Sequence, residues 1–591
     1  MRLHWRLYRL YLIPVVLAAM IAAFAFGNRP APMSSSLAPE GFSGARAFSL
    51  LHEMASLAPS RRPGSAGDRR LLGFLQRQLR ALGAPGSGGY AVRRLHVDGA
   101  TSFGGRPLTV LVGRRTGTTA DAPILLIAHR DAAAGAGAAQ LSGTAALLEL
   151  AAVLAGSETR HPLEVVFSDG GSAGGAGTAA YLKSLRGPVD AAIVLGDLAG
   201  GTLRRPLVQP FSNGLGSAPE ALQNTVSAAL GDALGHAAGT PSLASQLAHL
   251  AFPLSVGEQG LLNAAGVPAV AVELAGERGS AAGEPVSRRR LEAAGQAVLS
   301  AIYALDAGAE VGAHAAPDAG LTLAGRTLPG WALRLLAAAL LLAPLALGVD
   351  ALVRLSRRGR QAGRWISLSL SCALPFFACA LAVKLVAASG LLSAPPAPVP
   401  AEGLSFSAGA VLALALGVAV LALGLYVWWR FAGGPLLRRA GGLGSEGVAA
   451  LCTASTVGVV IWLFNPYAAL LMVPALHIWP LVVCPDRRPA RRRWRIVLAL
   501  VPLVPLALLL LYYALALGLG PAGMLLSAIL MLGGGQIGWG GALLWSLVVG
   551  LLATMLLAAV GEQRTRAGRP RRPASSSGGL ARELARAADR V

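Results

Sequence analysis

The apolar and polar positions divide the chain into two regions with different periodicities. Between residues 41 and 308, short apolar runs alternate with stretches of helical period. From about residue 330 onward, the apolar segments become long enough to cross a hydrocarbon core of roughly 30 Å. The pattern predicts a globular α/β domain at 41–308 and an all-α polytopic transmembrane bundle at 330–560, joined by a linker at 309–329.

The globular region begins with helical patterns at 44–57 and 68–82 and continues with six β runs. In chain order, these runs read YAVRRLHV, PLTVLVG, PILLIAH, PLEVVFS, AAIVLGD and PAVAVEL. Strands that alternate with helices favour a mainly parallel sheet flanked by helices on both faces. Because ligands bind beyond the carboxyl ends of the strands in such sheets, the residues after LLIA, VVFS and IVLG are the first candidates for chemistry.

Several segments have the length and apolarity of transmembrane helices. The first, 7–26, follows Arg2 and Arg6, and we interpret it as a retained anchor rather than a signal peptide because its apolar run exceeds a usual signal core. Seven more follow the globular region, at 330–353, 365–392, 406–429, 446–464, 466–484, 495–518 and 538–560. The stretch 521–537 is short and broken by glycine, which predicts a re-entrant or interfacial segment.

The net charge of +22 comes largely from arginine placed between apolar segments. Arginine-rich connections occur at 354–364, 430–439, 485–495 and 564–572 and alternate with charge-poor ones. By the positive-inside rule, residues 1–6 and the basic tail 561–591 are cytoplasmic, whereas the domain that follows the linker 27–40 is extracytoplasmic. No basic stripe with interleaved aromatic residues accompanies the charge, so we expect a lipid bilayer as partner and no nucleic acid.

Cysteine placement limits the chemistry of the globular region. All four cysteines lie within apolar C-terminal segments: Cys372, Cys379, Cys452 and Cys484. The globular region therefore has neither a disulfide framework nor a cysteine-zinc site.

Four sequence blocks of the globular region resemble those of a known family. The blocks read AHRDA, FSDGGSAGG, LGDLAG and GVPAVAVELAG. In order and spacing they resemble the zinc aminopeptidase family that includes aminopeptidase Y and bacterial leucyl aminopeptidases, over roughly residues 45–306. The resemblance implies a zinc-aminopeptidase-like α/β fold, in which such blocks hold two zinc ions.

Part of the family's site is retained. The resemblance implies that His129 and Asp197 are metal ligands and that Asp131 orients His129. In the alternative structural interpretation, these residues and Asp169 are strand-end side chains that share hydrogen bonds. Glu258 stands where the family often has the sequence SDH, and we interpret it as a surface helix residue.

Most of the site is lost. Ala139 replaces the aspartate that bridges the metals, Gly171 stands at the general-base position, and Ser172 follows where a carboxylate ligand is expected. No histidine occurs from 250 to 313 to supply the last ligand. A dizinc site needs several such ligands and a carboxylate base. We therefore expect no catalytic residue and no cofactor, with a weak zinc site at His129 and Asp197 as the alternative.

Five further side chains are candidates for a functional role. His161, His236 and His249 lack partners at metal-binding spacing, and we expect them to be solvated. Lys384 lies in the apolar stretch ACALAVKLVAASG, where a charge must be paired, snorkel to the interface or serve a function. His477 is interpreted as a structural or interfacial residue.

Three functional hypotheses follow. The first is a membrane-anchored pseudoenzyme that binds a peptide, a lipid-linked group or a partner protein outside the cytoplasm. Its layout of anchor, degenerate aminopeptidase-like domain and about seven helices resembles the attachment subunit of glycosylphosphatidylinositol transamidase. The second is an active membrane-bound metallopeptidase whose ligands come from other positions. The third is a transporter-like protein, which rests on Lys384 and the number of helices.

Overall fold

A computed structural model describes residues 4–35, 41–86, 88–133, 137–308, 320–357, 362–435, 445–483 and 492–567. Most of the predicted basic tail and Cys484 lie outside these residues. The described strands are β1 (Gly27–Asn28), β2 (Ala91–Thr101), β3 (Gly104–Arg115), β4 (Ile124–His129), β5 (Leu163–Ser168), β6 (Ala191–Leu195), β7 (Val208–Gln209), β8 (Ala269–Val272), β9 (Leu321–Leu323) and β10 (Arg326–Leu328). They form two sheets.

The larger sheet has seven strands in the order β2-β3-β5-β4-β6-β8-β7. Its four central strands, β5, β4, β6 and β8, pair in parallel. The pairs β2/β3, β3/β5 and β7/β8 are antiparallel. The prediction of a mainly parallel sheet is therefore correct only for the centre, because the short turn between Thr101 and Gly104 forces β2 and β3 to run in opposite directions.

Helices cover both faces of this sheet. Up to residue 308, the described helices are α1 (Trp5–Leu10), α2 (Leu12–Phe24), α3 (Gly44–Leu57), α4 (Ala66–Ala81), α5 (Ser142–Ala155), α6 (Ala176–Ser184), α7 (Glu220–Leu234), α8 (Leu243–Ala251), α9 (Glu258–Ala264) and α10 (Arg288–Ala307). Alternate residues of β4 separate the two cores: Ile124 and Leu126 pack with α3, α5 and α10, while Leu125 and Ile127 pack with α6 and α9.

Most predicted elements of the domain occur close to their predicted bounds. The patterns at 44–57 and 68–82 correspond to α3 and α4, whose first turns are capped by the side chains of Ser43 and Ser65. The six β runs correspond to β2 to β6 and β8. The two-residue strand β7 was not predicted, because a pair of residues carries no periodicity.

The C-terminal region is helical. Its described helices are α11 (Gly330–Arg357), α12 (Ala362–Ser371), α13 (Leu374–Ala388), α14 (Ala408–Trp428), α15 (Ser445–Phe464), α16 (Pro466–Val483), α17 (Arg492–Leu500), α18 (Val504–Ala516), α19 (Pro521–Gly533) and α20 (Trp539–Ala567). Among described residues, seven helical segments are long and apolar enough to cross a membrane, including Arg6–Phe24 near the N-terminus.

Two predicted membrane segments are shorter. The one at 466–484 contains the apolar helix Pro466–Val482, which is below the length of those seven. Helix α19 has 13 residues, or about 20 Å at 1.5 Å per residue, against a hydrocarbon core of roughly 30 Å. The re-entrant or interfacial placement of 521–537 stays a prediction.

Two elements connect the α/β domain with the C-terminal helices. The smaller sheet, β1-β10-β9, lies within the predicted linkers and pairs Gly27 with Thr327 after α2 and before α11. The connection between α13 and α14 rests on the α/β domain: Ser393 Oγ donates to Thr101 O, and Ala397 N donates to Gly174 O, each at 3.0 Å. We call residues 389–407 the cover segment.

Candidate functional site

A cavity of about 130 Å³ lies beyond the carboxyl ends of the parallel strands. It is lined by side chains that follow β4, β6 and β8, by the start of α9 and by the cover segment. Its charged and ionisable lining residues are His129, Asp197, Glu258, Glu273, Glu277, Arg278 and Glu402. Carboxylates therefore outnumber cations around the cavity.

His129 ends β4 and packs closely against Gly171. A Cβ atom at position 171 would lie 2.4 Å from the Cβ of His129, a distance at which a side chain cannot fit unless the backbone moves. His129 therefore leaves no room for a side chain at position 171. A glutamate placed at Gly171 would need a different local backbone.

Glu258 is buried, which corrects its interpretation as a surface helix residue. Its side chain, at the first position of α9, is 3% exposed. Oε1 accepts hydrogen bonds from the hydroxyls of Ser168 and Thr178. Oε2 has no hydrogen-bond partner among the described residues and lies 3.9 Å from His129 Nδ1. Helical periodicity could not reveal that the end of this short helix faces the cavity.

Asp197 and Glu273 follow neighbouring strands and touch each other. The Asp197 N–H donates to Glu273 Oε2 at 3.0 Å. Glycine at position 196 permits this approach, because a Cβ there would lie 1.8 Å from Glu273 Oε2. Burial raises the pKa of the Asp197 carboxyl, and it raises the pKa of Glu273 well above its ordinary value, with the charge of Asp197 adding to the effect.

The two oxygens of Asp197 have different environments. Oδ1 accepts from Ser142 Oγ at 3.0 Å and from the N–H groups of Ala199 and Gly200 at 2.9 and 2.8 Å. Oδ2 is buried without a hydrogen-bond partner in the described part of the chain. The cavity thus contains two carboxylate oxygens, Asp197 Oδ2 and Glu258 Oε2, that have unused acceptor capacity.

Asp131 lies behind the cavity wall and is fully buried. Its carboxylate accepts from the N–H of Gly171 at 2.9 Å and from the N–H and hydroxyl of Ser172 at 3.1 and 2.5 Å. These hydrogen bonds of Asp131 do not include His129, so they do not show the expected role of orienting that histidine. Asp131 instead holds the turn that follows β5.

Asp169 belongs to a separate buried cluster, the Arg130 cluster, formed with Asp68 and Arg130. Arg130 Nε lies 2.8 Å from Asp68 Oδ1, and Nη2 lies 3.1 Å from Asp169 Oδ2. Burial raises the pKa of Asp169 to about 8, with the charges of Asp68 and Asp131 adding to the shift and Arg130 opposing it. Asp169 does not line the cavity. Although Asp169 follows a strand, its carboxylate pairs with Arg130 and does not reach the cavity.

The cover segment closes one side of the cavity with Pro400 and Glu402. Glu402 Oε2 accepts a hydrogen bond from Gln140 Nε2 at 2.7 Å. Nearby, Ser405 Oγ donates to Ser102 O at 3.0 Å. The connection of two C-terminal helices is thus a wall of the site, which nothing in its own composition predicts.

The donor set does not fit the dizinc centre that the resemblance implies. Among the described residues, no group of three or more His, Cys, Asp and Glu side chains is arranged to hold a metal ion. His129 and Asp197 do line the same cavity. Two ligands are fewer than zinc takes, and Asp197 Oδ1 is already engaged by three donors. We therefore assign no chemistry to zinc in this chain.

Two histidines expected to be solvated are buried. His161 Nδ1 lies 2.8 Å from Ala122 O. His249 stacks on Phe211 with ring centroids 3.6 Å apart, and its Nε2 lies 3.0 Å from Glu277 Oε2. Tyr512 of α18 donates to the same carboxylate at 2.9 Å, so this contact joins the two regions. Sequence spacing missed it because the partners are far apart along the chain.

Lys384 has partners within the helical region. Its Nζ donates to Leu532 O at 2.9 Å and to Ile537 O at 2.7 Å, and lies 5.0 Å from the ring centroid of Trp539. A cation beside carbonyls at a helix end is favourable. These contacts join α13 to the end of α19, so the charge of Lys384 has polar partners within the helical region.

Comparisons with known proteins concern the fold alone. No protein-family model matches the chain, and no curated protein matches it. Similar solved structures include the zinc aminopeptidase BSAP from Bacillus subtilis, with 11% identity, 46% of this chain and 99% of that chain covered, and a TM-score of 0.36. An Acidobacteriales bacterium glutaminyl cyclase is 19% identical in sequence, and the match covers 47% of this chain and 99% of that chain with a TM-score of 0.36. A Zn-dependent exopeptidase from Parabacteroides distasonis is 18% identical in sequence, and the match covers 45% of this chain and 99% of that chain with a TM-score of 0.34.

Proposed function

We propose that this chain is a membrane-anchored, non-catalytic binding protein whose α/β domain holds its ligand at the strand ends. One observation carries the proposal: the cavity contains carboxylate oxygens of Asp197 and Glu258 that have no hydrogen-bond partner in the described part of the chain, whereas His129 leaves no room for a side chain at Gly171, where the resemblance implies a general base. The site is thus built to accept hydrogen bonds, and it lacks the carboxylate that would activate water.

The ligand class follows from charge and size. Buried carboxylate oxygens without partners favour a cationic group with N–H donors, such as a primary amine, because charge-assisted hydrogen bonds are the strong ones. The volume of about 130 Å³ is below the roughly 300 Å³ at which whole ligands are commonly enclosed. The cavity therefore suits the terminal amino group of a larger molecule, such as the amino terminus of a peptide.

The membrane placement rests on two features. Seven described helical segments are apolar and long enough to cross a membrane, and arginine is concentrated in alternate connections of the sequence. With positive loops inside, both termini are cytoplasmic and the α/β domain lies outside the cytoplasm. In this topology the domain would present its cavity to extracytoplasmic peptides or proteins while the cover segment holds it near the bilayer.

The test uses the full chain purified in detergent. A short peptide with a free amino terminus is titrated by calorimetry alongside its N-acetylated form, which lacks the cation. We expect the free amine to bind at least about tenfold more tightly, a difference of roughly 1.4 kcal/mol. Equal affinity for the two peptides, or no binding of either, would reject the assigned ligand class.

A second measurement addresses the metallopeptidase hypothesis. Elemental mass spectrometry after dialysis against trace zinc, combined with an aminoacyl hydrolysis assay, should find substoichiometric zinc and no turnover. Stoichiometric zinc together with hydrolysis that His129→Ala abolishes would replace the binding proposal by the metallopeptidase. The Glu53→Gln variant, altered at an exposed helix position, controls for effects of substitution and purification that do not involve the cavity.

A further inference from the structure

Two adjoining apolar chambers lie between the α/β domain and the C-terminal helices. The first has a volume of about 360 Å³ and the second about 340 Å³. They share five wall residues: Phe252, Leu506, Met531, Ile537 and Trp545. No charged residue lines either chamber within the described chain. An apolar cavity of this kind stays dry and favours apolar guests.

The chambers open on surfaces that would face hydrocarbon. Phe464 and Val549 line the first chamber and are 66% and 36% exposed, and Leu510 lines the second and is 51% exposed. These residues belong to helical segments that are apolar and long enough to cross a membrane. In the membrane placement proposed above, the mouths are reached from the acyl region of the bilayer rather than from water.

Two amide groups in the first chamber each have one unused polar atom. Asn213 Oδ1 accepts from Ser255 N at 2.6 Å, which directs Nδ2 away as a free donor. Gln536 Nε2 donates to Pro395 O at 2.8 Å, which leaves Oε1 as a free acceptor. Both free atoms are buried and lack partners among the described residues. Leaving such groups unsatisfied in an apolar wall is costly, and the polar groups of a ligand would satisfy them.

A second-chamber hydroxyl adds to this set. Ser527 Oγ is buried and has no partner in the described part of the chain. Donors and acceptors without net charge match the ester and hydroxyl groups at the glycerol level of a lipid, and they do not match a phosphate or an ammonium. The polar groups and the two chambers together describe one molecule with an uncharged polar junction and two apolar tails.

We propose that the two chambers bind one two-chain membrane lipid, with one acyl tail in each chamber, an ester carbonyl that accepts from Asn213 Nδ2 and a glycerol hydroxyl that donates to Gln536 Oε1. This inference rests on the membrane placement of the proposed function and extends it to a ligand of the helical region. The segment 252–259 contributes Phe252 to both chambers and Glu258 to the carboxylate cavity. The lipid would therefore lie directly beneath the site of the domain.

The experiment uses a diacylglycerol analogue with a photoreactive diazirine in one acyl chain, because this lipid has ester carbonyls and a hydroxyl but neither a phosphate nor an ammonium. The full chain is reconstituted in phosphatidylcholine nanodiscs that contain this probe, irradiated and mapped by peptide mass spectrometry. Adducts on the peptide that contains Phe252 are diagnostic, because this residue belongs to the α/β domain rather than to the surface that annular lipid covers. We expect this peptide to be labelled in the wild type.

Chamber-filling variants sharpen the test. Ala468→Trp narrows the first chamber and Ser527→Phe narrows the second, whereas Val418→Trp adds the same bulk at a position that is 58% exposed and outside both chambers. Displacing about two methylene groups should lower labelling of the Phe252 peptide about tenfold in either filling variant. The control should retain wild-type labelling.

The outcomes separate this inference from the proposal on which it rests. A chain that an alkaline carbonate wash releases from membranes would overturn the membrane placement, and the lipid site with it. A chain that stays in membranes but shows no labelling at Phe252 in the wild type would overturn the lipid site alone. Wild-type labelling that neither filling variant reduces would do the same, because the probe would then reach Phe252 from a site other than the two chambers.

Discussion

Two groups of buried carboxylates at the same edge of the sheet differ in whether a cation accompanies them. In the Arg130 cluster, Asp68 and Asp169 share a fully buried guanidinium. In the cavity, Asp197 and Glu258 each keep an oxygen that has no hydrogen-bond partner among the described residues. A buried charge is costly unless it is paired. Asp169 Oδ1 also lacks a hydrogen-bond partner among the described residues, so what distinguishes the Arg130 cluster is its buried guanidinium. The nearest basic nitrogen to Glu258 Oε2 is His129 Nδ1 at 3.9 Å, and the cavity therefore has room for a cation that the Arg130 cluster already contains.

The largest expected effect is on the Arg130 cluster. Arg130→Met leaves two buried acids without their cation, so we expect the free energy of unfolding to fall by about 3–5 kcal/mol. Denaturant unfolding of the full chain in detergent measures it. Arg160→Met, which breaks an exposed ion pair with Asp121, is the matched control and should cost no more than about 1 kcal/mol. Equal losses in both variants would show that burial does not distinguish these pairs.

The cavity should respond in the opposite way. Glu258→Gln keeps an acceptor for Ser168 and Thr178 and removes an unpaired charge, so stability should be unchanged or should rise by about 1 kcal/mol. Affinity for the free-amine peptide should fall at least tenfold, roughly 1.4 kcal/mol. Calorimetric titration and unfolding are measured on the same preparation. A stability loss like that of Arg130→Met would mean that Glu258 is structural.

Peptide binding should also depend on pH. Burial raises the pKa of Asp197 and of Glu273, so both carboxyls hold protons at pH values where ordinary carboxyls are ionised. A cationic ligand must displace those protons, and affinity therefore rises with pH, by up to about tenfold per unit for each proton released. Titration in buffers of different ionisation enthalpy measures the release. Affinity that is independent of pH in the wild type, or unchanged in slope in Asp197→Asn, would contradict the proton displacement.

The smallest effect concerns the pH dependence of stability. The pKa of Asp169, raised to about 8, exceeds that of an unfolded aspartate. The folded state therefore binds a proton that the unfolded state releases, so stability falls as pH rises from the ordinary aspartate range through about 8. We expect a decrease of a few degrees in the melting temperature between pH 7 and pH 9, because a pKa of about 8 corresponds to roughly 1.4 kcal/mol over this range, at about 2–4 °C per kcal/mol. Differential scanning fluorimetry should show a flatter profile for Asp169→Asn, and a wild-type profile that rises with pH would refute the assignment.

The site was predictable where it follows from strand ends. His129 and Asp197 come directly after apolar runs, and the carboxyl ends of parallel strands meet at one edge, so their shared cavity was foreseeable. Glu273 follows PAVAV in the same way, and the same rule places it at this edge. Glu258 was misjudged because the orientation of a seven-residue helix leaves no periodic signal.

The sequence by itself determined the difference between the short apolar runs of 41–308 and the long ones after 330, the bounds of most helices and strands, and the absence of a carboxylate at Ala139 and Gly171, because these depend on local periodicity and residue identity. Only the tertiary structure decided three contacts. Arg130 pairs with Asp68 and Asp169. Glu402 of the cover segment closes one side of the cavity that contains Asp197 and Glu258, and His249 of the α/β domain meets Tyr512 of the helical region. Such contacts join residues far apart in the chain, and their partners are chosen by packing and by the cost of leaving buried charges unpaired.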